Sequence, residues 1–216
     1  IGTVLMSIIL KATLNKFDLN TDEGRLEHKA YLESSIAKMD NYLKYLTSTI
    51  DDFRNFFKPE QEHEEVSIES ILQNTFGIIG KSLEINNIAL HVKNESHATF
   101  VTYGKKITQV LMNIIKNAHD AILEHKIEDG TIFVRAYEEE NHFIIEVEDN
   151  AGGIKPEIME KIFDPYFSTK NEKNGTGLGL YMSKMIIEQH CHGTLSASNT
   201  SKGAKFVITF QGEKNA

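Results

Sequence analysis

The sequence predicts an α+β fold, in which a two-layer α/β sandwich follows an α-helical hairpin. Two observations carry this prediction. A heptad stripe of apolar residues marks the N-terminal part, and beyond it helices and strands alternate in mixed order without an internal repeat. With 216 residues, 40% of them hydrophobic, the chain is long enough for one ordinary domain and a smaller one. We predict a helical domain over residues 1–60 and a sandwich domain over residues 61–216.

The helical domain is predicted to be a dimerisation stem. The polar segment 18–25 is the predicted turn of an antiparallel hairpin, and Pro59 is predicted to end its second helix. Apolar residues recur in steps of four and three, which is typical of helix association, and we expect two hairpins to form a four-helix bundle. The alternative is a single buried stripe in a globular domain. The stripe comprises Leu32, Ile36, Met39, Leu43, Leu46, Ile50, Phe53 and Phe57, after an upstream start at Leu5, Ile9 and Ala12.

Charge and cysteine usage exclude several classes of protein. The formal net charge is −8 and no basic patch is visible, so we expect no nucleic-acid partner. The longest apolar run is far too short to cross a bilayer, so any membrane anchor is expected to lie upstream of this chain. The single cysteine, Cys191, excludes an internal disulfide and fits a reducing compartment. We therefore expect a cytoplasmic location.

Local patterns divide the sandwich domain into elements. A charged segment up to Glu65 is predicted to be a hinge between the two domains. Helices are predicted over residues 70–83, 105–125 and 178–190 from their apolar spacing. Alternating residues predict strands over 88–92, 131–136, 143–147, 194–198 and 204–210.

The helix predicted over residues 105–125 carries two asparagines. Asn113 and Asn117 are four residues apart, so they lie one above the other on one edge of the helix. Neutral amide oxygens suit Mg²⁺, a hard cation that also retains water and phosphate ligands. Taken alone, such a pair is more often a surface or capping feature.

A second candidate lies where a strand leaves the core. The period of two places Phe143, Ile145, Val147 and Asp149 on one side of the strand, so the Asp149 carboxylate points along the buried face. Gly152 and Gly153 follow, and glycines let the backbone approach a flat ligand closely. A buried acceptor at the mouth of an apolar pocket suits the exocyclic amine of adenine. The alternative is a carboxylate that caps its own turn.

A third candidate is a glycine-rich loop that opens the last predicted helix. Spaced glycines before a helix expose N–H groups that can surround phosphate. Aromatic residues flank Pro165 just upstream, where they could anchor a mobile lid, and Lys170 could reach phosphates. The alternative is a hydrophobic turn with a solvated lysine. The loop is Gly175, Thr176, Gly177, Leu178, Gly179 and Leu180.

Taken together, these segments resemble the N, G1, F and G2 boxes of sensor histidine kinases, within the wider gyrase, Hsp90, histidine-kinase and MutL (GHKL) ATPase superfamily. Four motifs in this order are far more specific than any one of them. The resemblance covers residues 65–210, and the heptad hairpin extends it to nearly the whole chain. It implies a Bergerat-type sandwich that binds ATP with Mg²⁺ under a flexible lid.

The resemblance also implies a role for each matching position. Asn117 would be the Mg²⁺ ligand, and Asn113 would act on the phosphate or water side. Asp149 would anchor adenine, with Gly153 and Ile154 at the border of the base. Lys170 and the loop residues 175–180 would contact the phosphates, and we name Lys170 and Asn113 as catalytic candidates. The sequence departs from the family in having Ala151 for the first G1 glycine, and Ala204 and Lys205 after Gly203, where hydroxyl residues are frequent.

Asn113 stands where gyrase-like and Hsp90-like ATPases resemble one another in having a glutamate general base. An asparagine cannot take a proton, so transfer to another nucleophile is favoured over rapid hydrolysis. The family's accepting histidine occurs in a His-Glu/Asp-x-Arg-x-Pro setting, and no proline lies five residues after a histidine here. His28 lies at the wrong end of the hairpin. We expect the accepting histidine upstream of Ile1, so this chain should bind ATP without phosphorylating itself.

The predicted function is the catalytic region of a sensor histidine kinase that forms a homodimer through its stem. It would transfer the γ-phosphoryl group of ATP to a stem histidine for relay to a response regulator. One alternative is a GHKL-type kinase with another acceptor, such as an anti-sigma serine kinase or a mitochondrial-type dehydrogenase kinase. Another is a non-catalytic, nucleotide-sensing dimerisation module. The run from His190 to His192 is disfavoured as a metal site, since three consecutive residues cannot all face one ion.

Overall fold

The structure is a computed structural model that describes residues 21–56, 63–139, 142–169 and 176–211. Contacts divide the chain into two compact units, residues 1–50 and 51–216. The domain boundary after residue 60 stays a prediction. In the described part of the chain, no helix combines the length and the apolar character that a membrane span requires.

Helix α1 (Asp22–Phe56) carries the predicted heptad stripe from Leu32 to Phe53, and Phe57 lies outside the described residues. The turn predicted over residues 18–25 is wrong at its end, because Gly24 and Arg25 already lie in the helix. The Gly24 N–H donates to the Thr21 Oγ1 at 3.0 Å, and Asp22 and Glu23 give the first turn negative charge. Both features favour a helix start. The upstream stripe and Pro59 lie outside the described residues, so the hairpin and the bundle stay predictions.

After α1, the next described element is β1 (Glu64–Ser67), which continues directly into α2 (Ile68–Ile85). The remaining elements follow in chain order: β2 (Ala89–Asn94), β3 (Thr99–Thr102), α3 (Gly104–Glu124), β4 (Thr131–Glu139), β5 (His142–Asp149), a 3₁₀ helix (Pro156–Ile158), α4 (Gly179–Met185), a π-helical turn (Ile186–His190), β6 (Thr194–Asn199) and β7 (Ala204–Gln211).

The predicted sandwich is confirmed. Five strands form one mixed sheet in the order β2-β4-β5-β7-β6, and β2 and β4 are its parallel pair. The other neighbours, β4–β5, β5–β7 and β6–β7, are antiparallel. The helices form the second layer, as expected for an α+β fold whose sheet needs cover on one face. This arrangement brings β5, with Asp149 at its end, into the middle of the sheet.

The hinge predicted up to Glu65 is wrong at its end. Glu64 and Glu65 belong to β1, which pairs with β3 in a two-stranded antiparallel sheet. Ser67 then begins α2 with a capping box, because its hydroxyl accepts from the Ser70 N–H at 3.1 Å and Ser70 Oγ accepts from the Ser67 N–H. Neither short strand was predicted, since each has only four residues, too few to give a clear alternation.

Apolar side chains from both layers meet between α3 and the sheet. The stripe of α3 is almost fully buried, including Ile107, Leu111 and Ile114. Opposite it, Phe143 and Phe210 stack with centroids 5.7 Å apart, and Phe100 of β3 lies 3.9 Å from Phe143. Burial of this apolar area fixes which edge of α3 remains for polar groups.

The last predicted helix consists of two pieces. Regular helix α4 ends at Met185, and a π-helical turn continues to His190. The chain reverses at Gly193, where a Cβ would lie 2.0 Å from the Thr209 carbonyl oxygen. Only glycine fits that approach, so the turn leads directly into β6.

Candidate functional site

Asp149 is a buried carboxylate at the end of β5. It lies opposite Ile132 in the sheet, and its residue is 5% exposed. Its Oδ1 accepts backbone hydrogen bonds from Ala151 at 2.8 Å and Ala204 at 3.2 Å. Among the described residues, both hydrogen bonds to this carboxylate go to Oδ1. The other oxygen, Oδ2, is therefore the one that a ligand can use.

Burial raises the pKa of the Asp149 carboxyl above its ordinary value of 3.8. The backbone hydrogen bonds from Ala151 and Ala204 oppose that rise in pKa, the negative charge of Glu148 adds to it, and His125 lowers it. Desolvation dominates because the charged form loses water that two N–H groups only partly replace. A ligand that donates to this carboxylate would stabilise its charged form.

A close backbone approach fixes Asp149 from the β7 side. A Cβ on Gly203 would lie 2.1 Å from the Asp149 carbonyl oxygen and 2.5 Å from its Oδ1. Residue 203 must therefore be glycine for Ala204 to reach the carboxylate. The sequence identified Gly203 as part of a closing motif, and the structure brings this motif to the predicted site.

The loop after Asp149 has the backbone freedom expected of its glycines. Gly152 and Gly153 have φ values of +86° and +84°. Ala151, in the place of the first family glycine, is not among the described residues with positive φ. Asn199 of β6 also holds the loop. Its Oδ1 accepts from the Ile154 N–H and its Nδ2 donates to the Ile154 carbonyl oxygen, both at 2.7 Å. Sequence patterns gave no signal for Asn199.

The loop is also attached to the end of α3. His125, the C-cap residue of that helix, has its Nδ1 2.5 Å from the Ala151 carbonyl oxygen. Asn150 fixes the neighbouring turn, since its amide accepts from the Thr131 N–H at 2.9 Å and donates to the Asp129 carbonyl at 2.7 Å. Neither contact is visible in the sequence pattern.

The asparagine pair lies on the half-buried edge of α3. The Asn113 Nδ2 donates to the Ser183 Oγ at 2.9 Å, and Ser183 is 2% exposed. A Cβ on Gly179 would lie 2.5 Å from the Asn113 Oδ1. Asn113 therefore contacts the first turns of α4. Ser183 is a further site residue that the sequence did not predict.

The glycine-rich loop meets the aromatic segment through its backbone. Gly177 has a φ of +65°, and a Cβ there would lie 2.4 Å from the Tyr166 carbonyl carbon. The Thr176 Oγ1 accepts from the Leu178 N–H at 3.3 Å, and the Leu178 side chain is buried. These contacts place the end of the loop beside the predicted lid anchor. Lys170 and Gly175 lie outside the described residues.

Helix α3 connects the predicted parts of the site. Asn113 contacts α4 after the glycine-rich loop, and His125 contacts the loop after Asp149. Twelve residues separate them, which corresponds to about 18 Å along the axis and about a third of a turn around it. Asn117 lies between the two contacts. The G1 and G2 segments thus both contact α3, the helix that carries the asparagines of the N segment.

The segment from His190 to His192 has a different environment. Burial raises the pKa of the Cys191 thiol to about 11, so the thiol stays protonated at neutral pH. Burial and the nearby charge of Lys106 lower the pKa of His190. Within the described ranges, no group of three His, Cys, Asp or Glu side chains is arranged to hold a metal ion.

Comparison with known proteins agrees with the fold and with these motifs. The family model for histidine kinase-, DNA gyrase B- and HSP90-like ATPases matches residues 102–214, more than half of the chain. The chain belongs to this family of ATP-binding domains.

Its relatives are sensor kinases. Sensor histidine kinase ZraS of Salmonella typhimurium (strain LT2) is 37% identical over 145 residues, which cover 66% of this chain and 30% of ZraS. The catalytic domain of histidine kinase ThkA is 25% identical with a TM-score of 0.63, over 71% of this chain and 97% of that domain. ThkA in complex with response regulator TrrA has the same fold, with a TM-score of 0.64 over 96% of this chain and 56% of that one, at 21% identity. The predicted resemblance to the catalytic part of sensor histidine kinases is confirmed.

Proposed function

We propose that this chain is the catalytic region of a sensor histidine kinase that binds ATP with Mg²⁺ and transfers the γ-phosphoryl group to a histidine. The observation that carries the proposal is the buried Asp149, whose Oδ1 is saturated by two backbone N–H groups. Its position beside a glycine loop and near α3 suits recognition of a purine. The family of ATP-binding domains to which the chain belongs supports the same ligand.

Asp149 would accept a hydrogen bond from the exocyclic amine of adenine through Oδ2. A charged acceptor in a desolvated site makes such a bond strong, and the amine restores part of the solvation that burial removes. Gly153 and Ile154 would border the base, because Asn199 holds this stretch of loop in place. Guanine carries a carbonyl group at the corresponding position, so a carboxylate there would disfavour it.

The described residues fit a Mg²⁺ ion that arrives with the nucleotide. Asn117 offers a neutral amide oxygen from the half-buried edge of α3, and no described cluster of His, Cys, Asp and Glu could bind a metal without other ligands. A site with one protein oxygen suits Mg²⁺, which keeps waters and phosphate oxygens in its coordination shell. When bound, the ion would neutralise charge on the phosphates. Asn117 would orient the nucleotide by this contact.

The glycine-rich loop and Lys170 would surround the phosphates. The backbone contact between Gly177 and Tyr166 supports this proposal, because it anchors the C-terminal end of the loop near α3. Gly179 lies directly against Asn113, so the backbone of α4 begins beside the asparagine edge. N–H groups of residues 175–180 and the Lys170 ammonium would then stabilise negative charge on the transferred group.

The absence of a carboxylate at position 113 favours phosphoryl transfer over hydrolysis. The Asn113 amide cannot accept a proton from water, and its Nδ2 already donates to Ser183. In the proposed reaction a histidine nitrogen attacks the γ-phosphorus, the bond to the bridging oxygen breaks, and ADP leaves. The phosphoryl group would then pass to an aspartate of a response regulator. The complex of ThkA with its response regulator supports a partner of this type.

Titration of the chain with ATP, with and without Mg²⁺, tests the nucleotide site. Asp149→Asn should weaken ATP binding by about tenfold to a hundredfold, because a hydrogen bond to a charged group contributes about 1.5–3 kcal/mol. Asn117→Ala should remove most of the affinity that Mg²⁺ adds. Lys116→Ala is a matched control on the exposed face of the same helix. Unchanged titrations of both site variants would refute the assignment.

Phosphoryl transfer needs a separate assay with a supplied acceptor. The chain is incubated with labelled ATP, Mg²⁺ and a stem protein that carries the full histidine motif, or the same stem with that histidine replaced by serine. Label on the histidine stem alone supports the proposal. Label on the serine stem indicates a kinase with another acceptor. ATP binding without any transfer indicates a nucleotide-sensing module.

A further inference from the structure

His125 lies at the end of α3 and makes one specific contact with the loop after Asp149. Its Nδ1 lies 2.5 Å from the Ala151 carbonyl oxygen. A carbonyl oxygen can only accept, so Nδ1 must carry the hydrogen of this bond. The ring is otherwise exposed, at the C-cap of the helix, where its backbone N–H already bonds the Ala121 carbonyl at 2.9 Å.

The residue whose carbonyl group His125 holds also contacts the carboxylate. Ala151 is 2% exposed, and its own N–H donates to the Asp149 Oδ1 at 2.8 Å. His125 and Asp149 therefore hold the two peptide groups on either side of the Ala151 α-carbon, His125 at the carbonyl of one and Asp149 at the N–H of the other. Ala204 supplies the second bond to the same oxygen from β7. His125 acts together with Asn150 and Asn199, which also hold this loop, and it bonds Ala151 itself.

We propose that His125 is a positioning residue for recognition of the purine amine. By holding Ala151, it keeps one carboxylate oxygen of Asp149 engaged with the backbone and the other directed at the base. The proposal rests on the proposed function of Asp149 as the adenine acceptor. His125 itself does not touch the nucleotide. His125 would orient the carboxylate before the nucleotide binds. An acceptor that is already oriented loses less conformational entropy on binding, so the affinity is higher.

Two substitutions of His125 test the effect of the N–H donor independently of the effect of the ring volume. His125→Asn keeps an N–H donor, because the Asn Nδ2 and the His Nδ1 are both bonded to Cγ. His125→Leu keeps apolar volume and loses the donor. Since His125 is exposed, neither change opens a cavity in the core, and both variants should fold.

The experiment measures the affinity of the chain for ATP and for purine riboside triphosphate, which lacks the exocyclic amine. His125→Leu should weaken ATP binding by about twofold to tenfold, the range for one neutral hydrogen bond. Its affinity for the amine-free analogue should change little. His125→Asn should restore most of the ATP affinity. In an Asp149→Asn background, His125→Leu should add no further loss of ATP affinity.

The outcomes distinguish this inference from the proposed function. If the unaltered chain and Asp149→Asn bind ATP equally, the assignment of Asp149 fails. If Asp149→Asn weakens ATP binding but His125→Leu does not, only the role of His125 is overturned. It is also overturned if His125→Leu weakens both nucleotides equally or if His125→Asn fails to restore affinity, because either result indicates a general structural effect.

Discussion

At the scale of single residues, the fold gives the Asp149 carboxylate an environment that its neighbour Glu148 does not have. Glu148 and Asp149 are neighbours on β5, yet only Asp149 faces the core. Burial raises the pKa of its carboxyl, and the two backbone N–H groups that oppose the rise both bind Oδ1. The remaining oxygen, Oδ2, receives neither of these backbone bonds, and burial of the residue largely excludes water from it. Such an acceptor has a high affinity for a correctly placed amine.

This environment predicts opposite effects of Asp149 on binding and stability as pH changes. ATP affinity should fall on acidification once the carboxyl takes up a proton, at a higher pH than its ordinary pKa of 3.8 would give. In the folded state the pKa is raised, so the ionised group costs stability above that pKa. The cost disappears as the pH falls through the raised pKa towards 3.8.

Asp149→Asn is the comparison that checks both effects. The Asn Oδ1 can still accept the two backbone bonds, and the uncharged amide avoids the cost of burying a charge. We expect chemical denaturation at neutral pH to show equal or greater stability, together with weaker ATP binding and a flatter pH profile of affinity. A variant that loses stability and affinity together would make Asp149 a structural group.

At the scale of elements, α3 organises the second unit. Its apolar stripe packs on the sheet, and its remaining edge contacts α4 through Asn113 and the G1 loop through His125. Helix α4 is short and changes to a π-helical turn after Met185. The Asn113–Ser183 bond connects this short element to α3.

Removing the hydroxyl of Ser183 should loosen the contact between α3 and α4. We expect Ser183→Ala to lower the free energy of unfolding by about 1 kcal/mol, because the Asn113 amide loses its acceptor. In a double-mutant cycle with Asn113→Ala, the two losses should couple by about 0.5 kcal/mol or more in urea denaturation. Ser196→Ala, at an exposed position of β6, is the matched control. Additive losses would mean that the bond contributes nothing.

At the scale of the whole molecule, the two units differ in how their apolar residues are covered. The second unit buries its apolar side chains between sheet and helices. In α1, large apolar side chains remain exposed at Leu26 (68%), Ile36 (60%) and Leu43 (63%), and Met39 is 45% exposed. Three of these belong to the predicted heptad stripe. A stripe of this kind is covered when a second copy of the chain associates.

The chain should therefore form a dimer through α1. Sedimentation equilibrium is expected to show the dimer, and Ile36→Glu should shift it to monomer. Each substitution acts twice in a symmetric interface, and each buried isoleucine contributes about 1.5–3 kcal/mol. Ser34→Glu, at an exposed position off the stripe, changes the charge by the same amount, and this control should leave the dimer intact. A monomeric unaltered chain would contradict the stem prediction, whereas ATP affinity should be the same in all three proteins.

The sequence by itself determined the class of fold, the long helices, the faces of the central strands and the order of the nucleotide motifs. These properties follow from the periods of 3.6 residues in a helix and two residues in a strand. Both periods are set by the local backbone and do not depend on how the elements pack. The burial of Asp149 is one such result, because its position on β5 continues the alternation of Phe143, Ile145 and Val147.

Only the tertiary structure decided which polar groups meet. Strand β1 forms because Glu64–Ser67 pairs with β3. The hydrogen bond between Asn113 and Ser183 joins residues that are 70 positions apart in the sequence. His125 and Ala151 are 26 positions apart. A short strand or a single hydrogen bond leaves no periodic trace along the chain, since its free energy comes from a partner distant in sequence. For this protein, local periodicity predicts the elements, and long-range packing positions the side chains around the carboxylate.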